Sequence, residues 1–145
     1  MTKILRVLLA DDDEDDRELF FRAMSEVDPS VKVTAVLNGD MLMRDLAGMT
    51  NLPQLIFLDL NMPLKNGLEC LAEIKQNPVF GKVPILIYST SISPSEVEKA
   101  WSLGALCFVR KPDSYQKLKE IISRMINMDL STFAHQPREN FILSF

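Results

Sequence analysis

Ile4-Leu5-Arg6-Val7-Leu8-Leu9-Ala10 runs without a break into Asp11-Asp12-Asp13-Glu14-Asp15-Asp16. An apolar run rich in branched side chains reads as a buried strand. Acids crowded at its end are costly, since two carboxylates about 4 Å apart repel by about 4 kcal/mol at an effective dielectric near 20. Solvent, the positive N-terminus of a following helix, a lysine or a divalent cation with oxygen ligands would each offset that repulsion. Taken alone, the segment is equally well read as a solvated charge cluster capping a helix.

Working outward from it, further strand-like runs occur at Val31–Leu37, Leu55–Leu58, Pro84–Tyr88 and Leu106–Arg110. Helical spacing fills the intervals: Leu19, Phe20, Ala23, Met24 and Val27 share one face, as do Leu118, Ile121, Ile122 and Met125. Ser93, Pro94 and Glu96 give an N-cap, a first-turn proline and a capping-box acid, and Gly104 is placed to end that helix. Pro78 and Gly81 break the chain before the fourth strand. Alternating strands and helices, with strands that are nearly all apolar, argue for a parallel sheet covered on both faces. Right-handed crossovers make this an α/β, doubly wound, five-stranded flavodoxin-like domain with strand order 2-1-3-4-5.

In such a fold the ligand site lies beyond the carboxyl ends of the strands. Asp11 and Asp12 follow strand one, Asp59 follows strand three, Ser89 follows strand four and Lys111 follows strand five, so all should meet on one edge. A carboxylate on a rigid strand end can attack phosphorus and form an aspartyl-phosphate. That chemistry calls for a divalent metal, for which Asp11, Asp12 and Asp59 offer hard oxygen ligands and an open rim suited to Mg²⁺. Lys111 would supply a point charge, and Ser89 or Thr90 a hydroxyl donor. Singly, each has a plainer reading: Asp59 as a turn cap, Lys111 as a snorkelling strand end, Ser89-Thr90-Ser91 as a polar loop.

The 145 residues suit one domain with a real core, and the net charge of −4 argues against nucleic acid or an anionic membrane as a partner. Cys70 and Cys107 form no CxxC pair and His135 is the single histidine, which argues against a zinc site. Cys107 lies in an apolar run and reads as a core residue. Without a signal peptide or a membrane-length apolar stretch, the expected location is cytoplasmic.

These residues resemble the receiver domain of two-component response regulators. The resemblance rests on Asp11-Asp12, on Leu55-Ile56-Phe57-Leu58-Asp59-Leu60-Asn61-Met62-Pro63 with Gly67, on Ser89-Thr90, and on Phe108-Val109-Arg110-Lys111-Pro112. It covers about residues 3 to 128, and the Asp-x-x-Met-Pro-x-x-x-Gly stretch is its most specific part. Within the family, Leu60 to Pro63 and Tyr88 to Ser91 look most like the small single-domain regulators paired with bacterial phytochrome kinases.

The resemblance implies that Asp59 is the phosphoacceptor and that Asp11, Asp12 and Asp59, with the backbone carbonyl of Asn61, hold Mg²⁺, for which Mn²⁺ can substitute. It makes Ser89 the switch hydroxyl, Lys111 the phosphate-contacting lysine and Phe108 the switch aromatic, and it implies a cis Lys111-Pro112 bond. Asp13 to Asp16 carry no role in the family pattern and read as helix-capping charge. The implied partners are a histidine kinase or histidine phosphotransfer protein upstream and a protein downstream. The implied role is that of a phosphoacceptor rather than a turnover enzyme. Residues 1–128 would form the receiver. The tail 129–145, too short for an effector domain, would pack Leu130, Phe133, Phe141, Ile142, Leu143 and Phe145 on its own domain or act as the arm of a homodimer. A haloacid-dehalogenase-type hydrolase fits less well, because it needs a second aspartate where Asn61 stands. A nucleotide-binding module would need a glycine-rich loop that is missing. A phosphorylation-independent interaction domain would usually lack one of the key residues, and all are present.

Overall fold

The computed structural model describes residues 3–129 and 137–145. Five parallel strands, β1 (Arg6–Ala10), β2 (Lys32–Val36), β3 (Leu55–Leu58), β4 (Ile85–Ser89) and β5 (Cys107–Arg110), alternate with α1 (Glu14–Val27), α2 (Gly39–Gly48), α3 (Gly67–Gln76), α4 (Pro94–Ser102) and α5 (Tyr115–Ile126). The sheet order is β2-β1-β3-β4-β5, as expected, and a short β6 (Ile142–Leu143) adds itself to the outer edge of β5. β6 pairs in parallel, Phe108 opposite Ile142 and Val109 opposite Leu143. The described part of the tail therefore packs on the chain's own domain; Leu130 and Phe133 lie outside the described residues.

Alternation along each strand divides the core in two. Leu8, Ala10, Ile56, Leu58, Ile85 and Ile87 face α2, α3 and α4. Val7, Leu9, Leu55, Phe57, Leu86 and Tyr88 face α1 and α5. Burial on both faces is why β3 and β4 carry hardly any polar side chains. On the second face Phe20, Phe57 and Tyr88 meet edge to face, with ring centroids 4.9, 6.0 and 6.2 Å apart.

Local differences from expectation have local causes. β1 begins two residues late because Gln54 Oε1 accepts from the N–H groups of Leu5 and Arg6 (2.6 and 3.1 Å). Leu19 sits outside the buried stripe of α1, which is Phe20, Ala23 and Met24. Ser93 and Pro94 begin α4, but the Ser93 hydroxyl meets Ser95 Oγ at 3.1 Å and caps no helix N–H. A capping box forms on α3 instead, between Asn66 and Glu69. Gly104 adopts φ +93°, and its N–H and that of Ala105 return to Trp101 O and Ala100 O, closing α4. Trp101 is 38% exposed on that helix and not a core residue. Cys107 is buried, and burial pushes its thiol up to about 12, so it is inert at neutral pH.

Leu64 is the one described non-glycine residue at positive φ (70°), at the centre of a turn in which the Lys65 N–H reaches Pro63 O at 2.8 Å. That conformation costs an L-residue about 1–2 kcal/mol. The side chain is 77% exposed, so little packing offsets the strain. Leu64→Gly should stabilise the fold by about 0.5–1 kcal/mol, the gain being trimmed by the entropy glycine adds to the unfolded chain. A higher urea midpoint at unchanged m-value checks this; a lower midpoint would mean that Leu64 makes contacts worth more than its strain. Among the described residues, no helix is long and apolar enough to cross a membrane.

Candidate functional site

The sheet's own hydrogen bonding continues one residue beyond three strands, and this fixes the site. The Asp11 N–H donates to Val36 O (3.1 Å), the Asp59 N–H to Ala10 O (2.9 Å) and the Lys111 N–H to Ser89 O (2.7 Å). Each of these three side chains is thus carried by backbone that is part of the ladder. Their chemistry converges: Lys111 Nζ lies 2.8 Å from Asp11 Oδ2, 2.9 Å from Asp16 Oδ2 and 3.1 Å from Asp59 Oδ2. Below, the ammonium sits 5.6 Å from the centroid of the Tyr88 ring, at the top of the aromatic trio.

Asp11 and Asp59 are buried and Asp12 is exposed, yet one carboxylate oxygen of each lies within 4.8 Å of the others. Asp11 Oδ1 accepts from the Asp13 N–H (3.0 Å), and Asp13 in turn caps α1 by accepting from Asp16 N–H (3.0 Å). The Arg17 guanidinium donates to Asp11 O (2.9 Å). Asp59 Oδ1 accepts from the backbone N–H of Asn61 (3.1 Å), which ties the loop after β3 to the acid. Gly67 closes that loop. Its N–H meets Leu60 O at 2.9 Å, and a Cβ on it would stand 2.4 Å from Asp59 O and 2.6 Å from Leu60 Cα.

Three carboxylates, those of Asp11, Asp16 and Asp59, meet one ammonium, and that of Asp12 lies close to Asp11 and Asp59, so the rim keeps an excess of negative charge. Burial pushes the Asp11 carboxyl up from its ordinary value despite the opposing hydrogen bond to Lys111, and the charge of Asp59 adds to the rise. Burial works to lower Lys111, but hydrogen bonds to Asp11 and Asp16 and the charge of Asp59 outweigh it and hold the amine above its ordinary value. Asp11 Oδ2 is paired with the Lys111 ammonium at 2.8 Å, whereas, among the described residues, Ser89 Oγ is a buried side-chain oxygen with no hydrogen-bond partner. A buried unsatisfied group of this kind costs about 1–3 kcal/mol. Hard oxygen donors from three carboxylates and excess negative charge suit a divalent cation.

Asp11 has a sign that can be checked. A carboxyl raised on folding contributes stability that is complete below its unfolded pKa and is lost as pH rises through the folded value. In chelator at neutral pH, Asp11→Asn should therefore raise the melting temperature by about 2–4 °C and flatten the stability profile above pH 4. A lower melting temperature would mean that the ion pair with Lys111 outweighs the burial of the carboxylate.

Asp11, Asp59 and Lys111 touch as the sequence suggests, and Asp12 stands at their edge. Ser89 is wholly buried while Thr90 is exposed, which separates the two hydroxyls that the sequence left as alternatives. Phe108 is fully buried against Phe141, ring centroids 6.4 Å apart. The Lys111-Pro112 bond is trans, against the expectation; trans is favoured at such bonds by about 0.5–1 kcal/mol. Asp16 is the residue the sequence reading missed, since it was counted as helix-capping charge. Its position four residues before the buried Phe20 was the available signal, because that spacing puts both on the stripe of α1 that faces the sheet.

A doubly wound parallel sheet with acids gathered round one buried lysine at its carboxyl edge defines a receiver-type signalling domain. The chain belongs to the response regulator receiver domain family, whose model matches residues 7–123. It is close in sequence and structure to phytochrome response regulators. It is 36% identical over 80 residues to response regulator Rcp1 of Synechocystis sp., a match that covers 55% of this chain and about half, 54%, of Rcp1. The two-component response regulator ARR17 of Arabidopsis thaliana is 29% identical over 137 residues, 88% of each chain. Among solved structures, the phosphorylated cyanobacterial phytochrome response regulator RcpA superposes with TM-score 0.81 at 30% identity, covering 89% of this chain and 96% of RcpA. The Mn²⁺-bound form of Rcp1 gives 0.77 at 28%, covering 94% and 99%.

Proposed function

We propose that this protein accepts a phosphoryl group on Asp59 from a histidine kinase or histidine phosphotransfer protein, and that the acyl phosphate alters a protein-binding face. The observation that carries this is the meeting of the Asp11 and Asp59 carboxylates on the Lys111 ammonium at the strand ends, with the buried Ser89 hydroxyl left unpartnered at the end of β4. Asp59 Oδ1 and Oδ2 are held by the Asn61 N–H and by Lys111, which fixes the carboxylate at the end of β3 for in-line attack. Lys111 offsets the charge that builds on the phosphoryl oxygens, and the Ser89 hydroxyl donates to one of them. Asp11, Asp12, Asp59 and the Asn61 carbonyl would hold Mg²⁺, or Mn²⁺ as reported for Rcp1. A bound divalent cation supplies screening of the phosphoryl charge. On this reading residues 1–128 are the receiver and 129–145 an accessory tail, Phe108 moves with Ser89, and the setting is cytoplasmic.

Intact mass after incubation with Mg²⁺ and a small acyl-phosphate donor tests the assignment. One phosphoryl adduct is expected on the native chain, and none on Asp59→Asn or without Mg²⁺. An adduct that persists on Asp59→Asn would move the acceptor elsewhere.

A further inference from the structure

We propose that residues 137–145 form a strap that clasps the switch aromatic and is loosened when Asp59 is phosphorylated; this rests on the reading of Asp59 as the acceptor. A turn at Arg138–Asn140 leads into Phe141, which is buried, and into β6. Phe141 joins the core formed by Ile87, Val97, Ala100 and Phe108, and its carbonyl accepts from the Phe108 N–H at 2.9 Å. The strap is anchored on both sides of β5. Arg138 Nε meets Glu98 Oε2 of α4 at 2.7 Å, and the Arg124 guanidinium of α5 lies 5.0 Å from the Phe145 ring centroid. Both anchors are at the surface, where such contacts are weak. A two-residue ladder and one buried ring therefore bear most of the hold, which makes the strap the most readily released described element of the sheet.

The direction of coupling follows from the register. Ile87 lies opposite Phe108 and Ser89 opposite Arg110, so Ser89 and Phe108 occupy neighbouring positions on one face of the sheet. Ser89 Oγ is unpartnered there. A phosphoryl oxygen on Asp59 draws that hydroxyl toward the rim and frees space on the α4 side of β4. Phe108 shifts into it and withdraws from Phe141, and the strap loses the contact that holds it. By linkage, weakening the strap must favour the phosphorylated form by the same factor.

Amide exchange of Phe108, whose N–H donates to Phe141 O, and of Leu143, whose N–H the parallel register aims at β5, with intact mass on the same sample, tests this in the full chain. With Mg²⁺ and acyl phosphate, exchange at both amides should rise about tenfold in the native protein and stay unchanged in Asp59→Asn. Phe141→Leu, which keeps an apolar side chain and the fold, should raise the fraction phosphorylated at fixed donor. An adduct with unchanged or slower exchange overturns the strap and leaves Asp59 as acceptor. The absence of any adduct overturns both.

Discussion

Lys111→Met should lower the stability of the metal-free protein by about 3–5 kcal/mol at neutral pH, the cost of leaving buried charge without its partner. The side chain is 8% exposed, and two of its three carboxylate partners, Asp11 and Asp59, are buried. Methionine fills similar space, so the loss is electrostatic rather than a cavity. Two accompanying effects separate this from a general weakening. The deficit should narrow as pH falls, because the Asp11 carboxyl is already raised by burial and gains a proton more easily once the ammonium is gone. It should also narrow in Mg²⁺, which would gain a more negative site and stabilise in proportion to its occupancy. Urea unfolding at two pH values, with and without Mg²⁺, reads all three effects. A deficit below about 1 kcal/mol would mean that the carboxylates are solvated as an ordinary surface cluster is.

Gly67→Ala should cost about 3 kcal/mol, the upper end for overpacking, because the added methyl meets backbone on both nearby contacts rather than a side chain that can rotate away. The damage should not stop at stability. The atoms it strikes are the carbonyl of Asp59 and the Cα of Leu60, so relief must displace the peptide that follows Asp59. A shift near 1 Å at such a position can lower a rate about a hundredfold. The initial rate of adduct formation and the unfolding midpoint should both fall. If the midpoint falls and the rate stays native, the loop yields on its α3 side and leaves Asp59 in place.

The sequence showed most clearly what depends on strand ends. Apolar runs place strands, crossovers order them, and the residue after each strand is then brought to one rim, so Asp11, Asp59 and Lys111 needed no tertiary information to be grouped. Asp16 was harder, because a first-turn acid satisfies the helix N-terminus whether or not it also meets a lysine 95 positions away. Phe141 was harder still. It opens the short apolar run Phe141-Ile142-Leu143, which reads as packing somewhere, but nothing local says that it enters the core beside Phe108 rather than a second copy of the chain. The turn at Leu64 was hidden for a related reason: positive φ is usually announced by glycine or asparagine, and here leucine carries it. The trans Lys111-Pro112 bond departs from what the family resemblance implied, not from anything written in this chain's own pattern.

β6 has a further consequence. Five parallel strands as apolar as these would end in the open main chain of Cys107 to Arg110, a template on which another chain could assemble. A two-residue strand takes that position, bounded by Pro137 before it and Ser144 after it. It covers the long edge and offers only a very short one in return, the means by which sheet proteins avoid growing into aggregates.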